Sequence, residues 1–537
     1  MSDVEIAALG GVGEFGRNVL WLRCGESSIL VDVGVSFPDE TFPGVDRIAP
    51  DLGAVRNERI DGVFLTHGHE DHVGALPFLR EWCEAPVYGL PFTLALARRR
   101  LEEADVTLDP IHEARPRVPI RSGAFTVTFF RVSHSVPDSA ALLIEAGGAR
   151  LVHSGDFKLD DDPPDGETTD RDGIAAAVGD GVDLALVDST NAERPGRSES
   201  ERRAGEGLRA AVRTARGRVV VTTFSSHVSR LSQAIDAGMA SGRRVAILGR
   251  SMRTVAEIAE RFGRIRIPAG GRWNAQELRD ASPERLLCLT SGSQGEPFSA
   301  LYRIALDEHA DLSLGEGDLV VLSARTIPGH ERSVNRMVDH LVRRGARVIR
   351  ESEPPIHVSG HAHQDEIAEW IRLVRPRAVL PVHGDRRMLA AAGDVAAGEG
   401  IPRERVHLVD NGDRVVLSPG GEARIERGAV PCGTVYLDDR PELVDPEVVR
   451  ERRRLAEEGF VVLLVRGDDV DVVSRGVAAD PAALSGEVSR AARAVLARAS
   501  AEERADPEWL RAEIAIAAKR ACRRELGLRP VIVPVLV

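Results

Sequence analysis

The chain has 537 residues, of which 43% are hydrophobic and 28% are charged, and it carries a formal net charge of −13. This length favours two or three domains over a single core, and the acidic balance argues against unspecific adhesion to nucleic acid while leaving room for a local basic channel. No apolar run reaches the roughly 20 residues that span a bilayer, the N-terminus lacks a secretory signal, and five scattered cysteines form no disulfide or zinc-ribbon pattern, so we expect a cytoplasmic protein without membrane contact.

Three glycines near the N-terminus imitate a nucleotide-binding turn. Gly11, Gly13 and Gly16 follow an apolar run with the spacing G-x-G-x-x-G. Residues 17–34, however, read as two extended runs around a turn rather than as the helix that such a site requires. We therefore reject dinucleotide binding and expect these glycines to shape a loop.

The first chemically distinctive stretch is HGHEDH, which follows a strand-like run at residues 62–65 and places three histidines and two acids in six residues. Such groups gain nothing from crowding unless a cation lies among them, and imidazole and carboxylate are suitable zinc ligands. In an extended or turning loop, His67 and His69 can face one point while Asp71 and His72 face a neighbouring point. The alternatives are a solvated polar loop and histidines that cap a helix beginning near His72.

Polar residues after later strand-like runs extend the metal hypothesis. His134 lies in VSHSVPDS, Asp156 in HSGDFK and His383 in LPVHGD. With the four residues of HGHEDH they make seven candidate ligands, which suffice for two metal ions if one carboxylate bridges. Two such ions can activate a water and clamp a phosphodiester for in-line displacement.

Short runs rich in Val, Ile and Leu alternate with helical patterns along the chain. Runs bounded by turn residues predict buried strands, and their alternation with helices predicts a layered α/β architecture with sites at the strand ends. The predicted strands span residues 62–65, 150–152, 183–187, 218–221, 244–248, 285–289, 318–322, 346–349 and 377–380, and the predicted helices span 200–216, 228–241 and 331–344.

The stretch TSGSQGEP follows the predicted strand 285–289. Its residues Ser291, Gly292, Ser293 and Gln294 offer backbone N–H groups and side-chain donors in a tight turn, which suits a phosphate. The alternative is a glycine-rich turn that only closes a strand.

Two polar stretches predict domain boundaries. Residues 195–200 precede a new series of helices and strands, and residues 438–446, rich in Pro and Asp, precede a charged helix and a final α/β segment. The last residues, RPVIVPVLV, predict a strand that pairs or is buried, either in an oligomer contact or in an ordinary core.

These motifs, in this order, resemble the metallo-β-lactamase fold, and the longer pattern is similar to the β-CASP nucleases of the bacterial ribonuclease J family. The stretches that carry the resemblance span nearly the whole chain and include LGGVGEFGRN, HGHEDHVGALP, SHSVPDS, GDFKLD, DSTNAE, TSGSQGEP, HVSGHA, PVHGD and VVSRGV. The resemblance implies an α/β protein: a metallo-β-lactamase αββα sandwich with an inserted β-CASP α/β domain and a small C-terminal α/β domain. The implied divisions are residues 1–198 and 353–437 for the metallo-β-lactamase domain, 199–352 for the β-CASP domain, 438–447 for a linker and 448–537 for the C-terminal domain, to which oligomerisation is ascribed.

Carried over residue by residue, the resemblance implies two Zn²⁺ per subunit, with Mn²⁺ as an alternative because histidine–carboxylate sites accept both. The ligands divide into two sets around a shared Asp156: His67, His69 and His134 for one ion, and Asp71, His72 and His383 for the other. A separate structural divalent cation near Asp438 follows from the same analogy.

The resemblance also implies catalytic roles for Asp71, Asp188 and His361. Asp71 and Asp156 would orient the attacking water, Asp188 would hydrogen-bond a ligand imidazole, and His361 would stabilise the transition state or protonate the leaving oxygen. The alternative for His361 is a buried histidine with a local acceptor. Substrate contacts are implied for three loops: Ser226, His227, Ser291, Gly292, Ser293, Gln294, His357, Val358, Ser359, Gly360 and His361.

The implied activity is that of a zinc-dependent ribonuclease that degrades RNA 5′→3′ from a 5′-monophosphorylated end, also cuts internally and leaves 5′-phosphates. It would act in RNA decay and in rRNA and mRNA maturation. Single-stranded RNA would thread between the metallo-β-lactamase and β-CASP domains, and recognition of the 2′-OH would separate RNA from DNA. The implied assembly is a homodimer or homotetramer that joins the partners of an RNA-decay complex.

Three other functions remain open. A DNA-processing β-CASP nuclease shares the domains, although the ribonuclease J-like loops disfavour it. A lactonase or thioesterase of the same fold would not need the inserted domain, and a non-catalytic RNA-binding subunit would not need seven metal ligands. His227, His330 and Asp385 stand where the family usually has asparagine, asparagine and glutamate, and these departures concern the substrate loops rather than the ligands.

Overall fold

The computed structural model describes residues 2–38, 42–327, 329–438, 443–477 and 480–537. The chain divides into two compact units: Met1–Phe37 with Ile48–Thr434, and Pro38–Arg47 with Val435–Val537. The first unit contains all the predicted site residues, and the second contains a separate three-stranded sheet.

The N-terminal part of the chain is rich in short strands. They are β1 (Val4–Gly10), β2 (Val12–Gly13), β3 (Val19–Cys24), β4 (Ser27–Val31), β5 (Arg47–Pro50), β6 (Ile60–Phe64), β7 (Val87–Gly89) and β8 (Ile111–Glu113), with helices α1 (Glu70–Val73) and α2 (Pro91–Glu103). Gly11, Gly13 and Gly16 have φ of 87°, 77° and 78°, which glycine adopts without strain, and β3 and β4 form an antiparallel hairpin after them. The glycines thus shape a loop before a hairpin, as the sequence predicts.

The next segment supplies β9 (Ile120–Ser122), β10 (Phe125–Arg131), β11 (Ala140–Ala146), β12 (Ala149–His153), α3 (Arg171–Val178) and β13 (Val182–Asp188). A parallel α/β segment follows, formed by α4 (Glu201–Thr214), β14 (Val219–Thr222), α5 (Val228–Ala240), β15 (Arg244–Leu248), α6 (Arg250–Arg261), α7 (Ala275–Arg279), β16 (Leu286–Thr290), α8 (Ala300–Leu306), β17 (Leu319–Leu322), α9 (Glu331–Arg343) and β18 (Arg347–Ile349). Its sheet has the order β15-β16-β14-β17-β18, and every pairing in it is parallel. Its strands are buried apolar runs, as expected for a parallel sheet covered on both faces.

The chain then returns to the first two sheets through α10 (Gln364–Val374), β19 (Pro376–Val382), β20 (Gly384–Asp385), α11 (Arg386–Gly398), β21 (Arg414–Ser418) and β22 (Glu422–Glu426). These strands complete an eight-stranded sheet of order β22-β21-β1-β3-β4-β6-β7-β8 and a six-stranded sheet of order β19-β13-β12-β11-β10-β9. β12, β13 and β19 are parallel, so their carboxyl ends lie at one edge.

The two sheets pack face to face around one core. Phe64 on β6 and Phe129 on β10 are fully buried, with ring centroids 6.2 Å apart. On the outer face of the six-stranded sheet, Trp370 of α10 lies 4.8 Å from the ring of Phe157. Burial of each such side chain stabilises the fold by about 1.5–3 kcal/mol. This is the αββα sandwich expected from the sequence.

The C-terminal part contains β23 (Thr434–Leu437), β24 (Leu443–Val444), α12 (Pro446–Glu458), β25 (Phe460–Arg466), β26 (Asp469–Arg475), α13 (Pro481–Arg498), α14 (Ala501–Ala505), α15 (Pro507–Leu526) and β27 (Val531–Leu536). Its sheet has the order β26-β25-β27. Val461, Leu463 and Val465 of β25 share a buried core with residues of α13 and α15. The predicted C-terminal strand is therefore β27, which pairs with β25 in parallel.

The predicted strands and helices agree with the observed ones to within two residues at each end. Short 3₁₀ turns occur at Gly53–Val55, Leu76–Glu81, Pro283–Arg285 and Arg403–Arg405. Of the predicted linker 438–447, residues 439–442 lie outside the described residues, and Asp438 belongs to none of the metal-ligating clusters found among the described ones. No helix in the described ranges has the length and apolar character to cross a bilayer.

Candidate metal centre

The HGHEDH loop leaves the carboxyl end of β6 and enters the short helix α1 at Glu70. His67 and His72 are almost fully buried, so this is not a solvated loop. In the part of the chain that the structure describes, the N-cap residue His69 makes no side-chain capping hydrogen bond. The histidines therefore face inward rather than serving the helix end.

The first cluster of donor atoms joins His67, His69, His134 and Asp156, with the donors within 4.8 Å of one another. Nδ1 of His69 lies 3.1 Å from Nε2 of His67 and 3.3 Å from Nε2 of His134. Burial holds the pKa of His67 and of His134 well below the usual value and lowers the pKa of His69 to about 4. All three imidazoles are therefore neutral at pH 7, the form that binds metal ions.

The second cluster joins Asp71, His72, Asp156 and His383. Nε2 of His383 lies 3.3 Å from Oδ2 of Asp71 and 3.5 Å from Oδ2 of Asp156. Nε2 of His72 lies 3.3 Å from the same Asp156 oxygen, which is also 3.6 Å from Nε2 of His67. One carboxylate oxygen therefore faces both clusters.

Electrostatics in the second cluster favour a cation. Burial acts to lower the pKa of His72, but Asp156, Asp71 and Asp32 outweigh it and raise that pKa to about 10. The pKa of His383 is also raised. Burial acts to lower it, but the neighbouring carboxylates outweigh burial, and Asp156 contributes most. Buried carboxylates that keep their charge, surrounded by imidazole donors, are a donor set that fits a divalent metal.

Each candidate ligand imidazole has a hydrogen-bonding partner for its other nitrogen, as metal-binding histidines require. The partners are Thr66 Oγ1 for His67 at 3.1 Å, Ser135 Oγ for His69 at 3.2 Å, Asp32 Oδ2 for His72 at 2.8 Å, the Gly360 carbonyl for His134 at 2.8 Å and Thr190 Oγ1 for His383 at 2.7 Å. Sequence reasoning missed Asp32 and Thr190. Asp32 follows β4 in the run LVDVG, so the strand-end rule that selected the candidate ligands also covers it.

Asp188, the last residue of β13, connects the second cluster to His361. Its Oδ2 accepts a hydrogen bond from Nδ1 of His361 at 2.8 Å, and its Oδ1 lies 3.3 Å from Nδ1 of His383. Burial acts to lower the pKa of His361, but Asp188 outweighs it and raises that pKa. The side chain of His361 is 20% exposed, so part of its ring is accessible to a ligand.

Ser359 and Gly360 lie close to the candidate metal-binding clusters. Gly360 contacts His134 through its carbonyl, and Ser359 Oγ accepts a hydrogen bond from Nδ2 of Asn191 at 2.7 Å. Val358 is buried. The segment 358–361 is therefore placed directly beside the candidate ligands.

His357 and His227 converge on a different point, the buried side chain of Arg230. Nη1 of Arg230 lies 3.3 Å from Nδ1 of His357, and Nη2 lies 3.4 Å from Nε2 of His227. His227 is 3% exposed, whereas Ser226 is half-buried. Of these residues, His227 has little surface to offer a substrate.

The predicted phosphate loop follows β16. Gly292 has φ of 108°, and a Cβ there would lie 2.3 Å from Oγ of Ser299, so the turn requires glycine. The Gln294 side chain donates to the Arg325 carbonyl at 2.9 Å and accepts from the Ile327 N–H at 2.7 Å. Gly292, Ser293 and Gln294 are buried, which leaves Ser291 as the most accessible of the four.

The remaining family departures lie at helix starts. Asp385 is the N-cap of α11 and accepts hydrogen bonds from the N–H groups of Arg387 and Met388. His330 is the half-buried N-cap residue of α9. Neither belongs to a metal-ligating cluster within the described residues.

Comparison with known proteins gives four consecutive family matches. They are a beta-lactamase superfamily domain at residues 28–224, the beta-CASP domain of ribonuclease J at 216–341, a Zn-dependent metallo-hydrolase RNA specificity domain at 354–408 and the ribonuclease J C-terminal domain at 447–537. Together they cover most of the chain.

Relatives similar over nearly their full length are named ribonuclease J. That of Mycobacterium tuberculosis is 40% identical over 91% of this chain and 89% of its own. Those of Mycolicibacterium smegmatis and Thermus thermophilus are 38% and 37% identical, each over 99% of this chain and over 97% and 95% of their own. A solved Enterococcus faecalis protein of unknown function, 16% identical, matches with a TM-score of 0.54 over 77% of this chain and all of its own, a likeness of fold alone.

Proposed function

The chain belongs to the ribonuclease J family of metal-dependent ribonucleases, and from this premise we propose that it is a two-zinc enzyme that degrades RNA 5′→3′ from 5′-monophosphorylated ends and also cuts internally. The observation that carries the proposal is the single Asp156 oxygen that faces two separate clusters of donors. A bridging carboxylate is what a paired metal site requires.

The two ions would be held by the clusters described above, with Asp156 common to both. When bound, such ions polarise a phosphoryl oxygen and lower the pKa of a coordinated water. Mn²⁺ is the alternative to Zn²⁺, because imidazole and carboxylate accept both. We also propose a separate structural divalent cation near Asp438.

The protein's own residues would hold and orient the reacting groups. Asp188 fixes the ring of His361 through Nδ1, which would direct Nε2 toward the scissile phosphate. His361 would there stabilise the transition state or give a proton to the departing 3′-oxygen. Asp71, 31% exposed in its side chain, would orient the attacking water. The product keeps the phosphate on its 5′ end, so each cut regenerates a substrate.

Single-stranded RNA would pass between the metallo-β-lactamase domain (1–198 and 353–437) and the β-CASP domain (199–352), contacting Ser226, Ser291 and the 357–361 segment. The domain 448–537, which follows the linker 438–447, would provide self-association into a dimer or tetramer. We propose a cytoplasmic location, which suits the five free thiols, with a role in RNA decay and in rRNA and mRNA maturation beside other decay proteins.

The test uses purified enzyme with its metals counted, and one RNA bearing either a 5′-monophosphate or a 5′-triphosphate. We expect mononucleotides mainly from the monophosphate form, and none from an Asp71→Ala, His72→Ala variant. A DNA strand of the same sequence is expected to persist. Binding without cleavage, under every divalent metal tried, would instead support an RNA-binding subunit, and cleavage of DNA alone would support a DNA-processing nuclease.

A further inference from the structure

Asn191 lies at a junction beside the proposed catalytic residues. It follows β13 three residues after Asp188 and is 3% exposed. Its Nδ2 donates to Ser359 Oγ at 2.7 Å and to the His361 carbonyl at 3.3 Å, and its Oδ1 lies 3.5 Å from Nη1 of Arg325. The guanidinium of Arg325 is therefore one amide side chain away from the backbone of His361.

Arg325 is anchored from the opposite side by the glycine-rich loop. It lies just beyond β17, and its carbonyl accepts the Gln294 amide at 2.9 Å while the Ile327 N–H donates to the same side chain at 2.7 Å. The backbone of Arg325 is therefore held beside the Ser291–Gln294 loop, and its side chain extends toward Asn191. Arg325 thus stands between the two loops proposed to contact RNA.

A second arginine, Arg194, is held near the first through Asn191. Its backbone N–H donates to the Asn191 carbonyl at 2.9 Å, and partial burial, followed by the charge of Arg194, lowers the pKa of the Arg325 guanidinium. Both residues are exposed, and neither has a carboxylate within salt-bridge distance among the described residues. By contrast Arg197 and Arg202, in the same segment as Arg194, form ion pairs with Glu369 and Asp162.

Two neighbouring guanidinium groups without a carboxylate repel each other, and an anion between them relieves the repulsion. Guanidinium matches phosphate in geometry and is weakly hydrated. We propose that Arg325 and Arg194 together bind a phosphate of the RNA strand next to His361, an inference that rests on the function proposed above. The phosphate is either the 5′-terminal group or an internal one of the same strand.

The experiment measures kcat and KM of Arg325→Ala and Arg194→Ala on single-stranded RNA over a range of salt concentrations. Arg216→Ala is the matched control, because Arg216 is also exposed and without a carboxylate partner among the described residues, but precedes β14 at the opposite end of the parallel sheet. We expect KM to rise about tenfold in each site variant with kcat little changed. The slope of log KM against log salt should fall by about 0.7 for each lost phosphate contact.

Arg325→Lys should recover part of the slope, because it keeps the charge without the guanidinium geometry. Metal content and melting temperature, unchanged in all variants, would show that the fold is intact. With 5′-hydroxyl RNA, loss of the Arg325→Ala effect assigns the terminal phosphate, and persistence assigns an internal one. If both alanine variants keep the KM and the salt slope of the wild type, the inference is wrong. If the wild-type protein itself never cuts RNA, the proposed function is wrong.

Discussion

At the scale of single residues, the chemistry depends on side chains that hold the histidines in place. Asp188 divides its two oxygens between Nδ1 of His361 and Nδ1 of His383. An asparagine at this position can accept one such hydrogen bond but presents an NH₂ group to the other ring, and it lacks the charge that raises the pKa of His361. One residue thus couples the proposed phosphate-facing histidine to a proposed metal ligand.

We therefore expect Asp188→Asn to lower kcat by about 10–100-fold, the usual effect of losing a hydrogen bond that orients a metal ligand. The loss should be accompanied by a lower apparent pKa of the alkaline limb, where activity falls because His361 loses its proton. Asp183→Asn is the matched control: Asp183 is also buried on β13, but it accepts hydrogen bonds from the Arg150 and Gly420 N–H groups. Wild-type kcat in Asp188→Asn, measured per bound metal, would contradict the role.

His227 gives a pH dependence of stability at a residue outside the candidate metal ligands. Burial, followed by the charge of Arg230, holds its pKa well below 6.5 in the folded chain, whereas the unfolded value is about 6.5. Below pH 6.5 the unfolded chain therefore binds more protons than the folded one. The contribution of neutral His227 to the free energy of unfolding is therefore fully present above about pH 6.5. It is lost as the pH falls below about 6.5 toward the folded-state pKa.

The variant His227→Asn removes this titration, and asparagine at the N-cap of α5 can accept a helix N–H that His227 does not serve. Between pH 7.5 and 5.5 the wild type should lose about 1.4 kcal/mol more stability than the variant. Urea unfolding of both proteins at the two pH values measures this difference, with the exposed His112→Asn as control. Equal losses in wild type and variant would exclude His227 as the source.

At the scale of elements, a single guanidinium ties two helices to two loops. Arg230 on α5 is fully buried and pairs with both oxygens of Glu201 on α4, at 2.6 and 2.8 Å. Its Nη1 donates to Ser323 Oγ at 2.7 Å, after β17, and to the Ile356 carbonyl at 3.0 Å, before the 357–361 segment. The position of that segment therefore depends on this pair.

Arg230→Met should cost about 3–5 kcal/mol of stability, because it leaves the Glu201 carboxylate buried without its partner. Arg203→Met, which breaks exposed pairs with Glu206 on the same helix α4 and with Glu353, should cost less than about 1 kcal/mol. Denaturant unfolding compares the two. If Arg230→Met does not fold, Arg230→Lys is the substitute, and a cost no larger than that of Arg203→Met would show that the network is not structural.

The strands and the candidate ligands could be predicted from the sequence because both leave local signals. An apolar run before a glycine predicts the strand 244–248 at its observed bounds, and the candidate ligands stand out because histidine and aspartate follow such runs. Which imidazole each supporting side chain contacts leaves no local signal: Asp32 is 40 residues from His72, and Thr190 is 193 from His383. Nothing in the sequence around Arg230 distinguishes it from the other arginines, and only the fold brings its partners together.

At the scale of the whole molecule, the C-terminal sheet leaves apolar side chains uncovered on one face. Val462 of β25 lies opposite Val473 on β26 and Val533 on β27. Val473 and Val533 are 43% and 42% exposed, while the neighbouring Val461 and Leu463 point into the core. A continuous apolar row across three strands is a surface that self-association would bury.

If this row forms the proposed contact between subunits, Val473→Glu with Val533→Glu should convert the dimer or tetramer into a monomer, because each carboxylate would be desolvated in the interface. The intrinsic RNA cleavage of the monomer should persist, since every proposed ligand lies in the other unit. Sedimentation velocity measures the change, with Val342→Glu as control, an isolated exposed valine on α9. An unchanged oligomer in the double variant would place the contact elsewhere, and a monomeric wild type would refute self-association altogether.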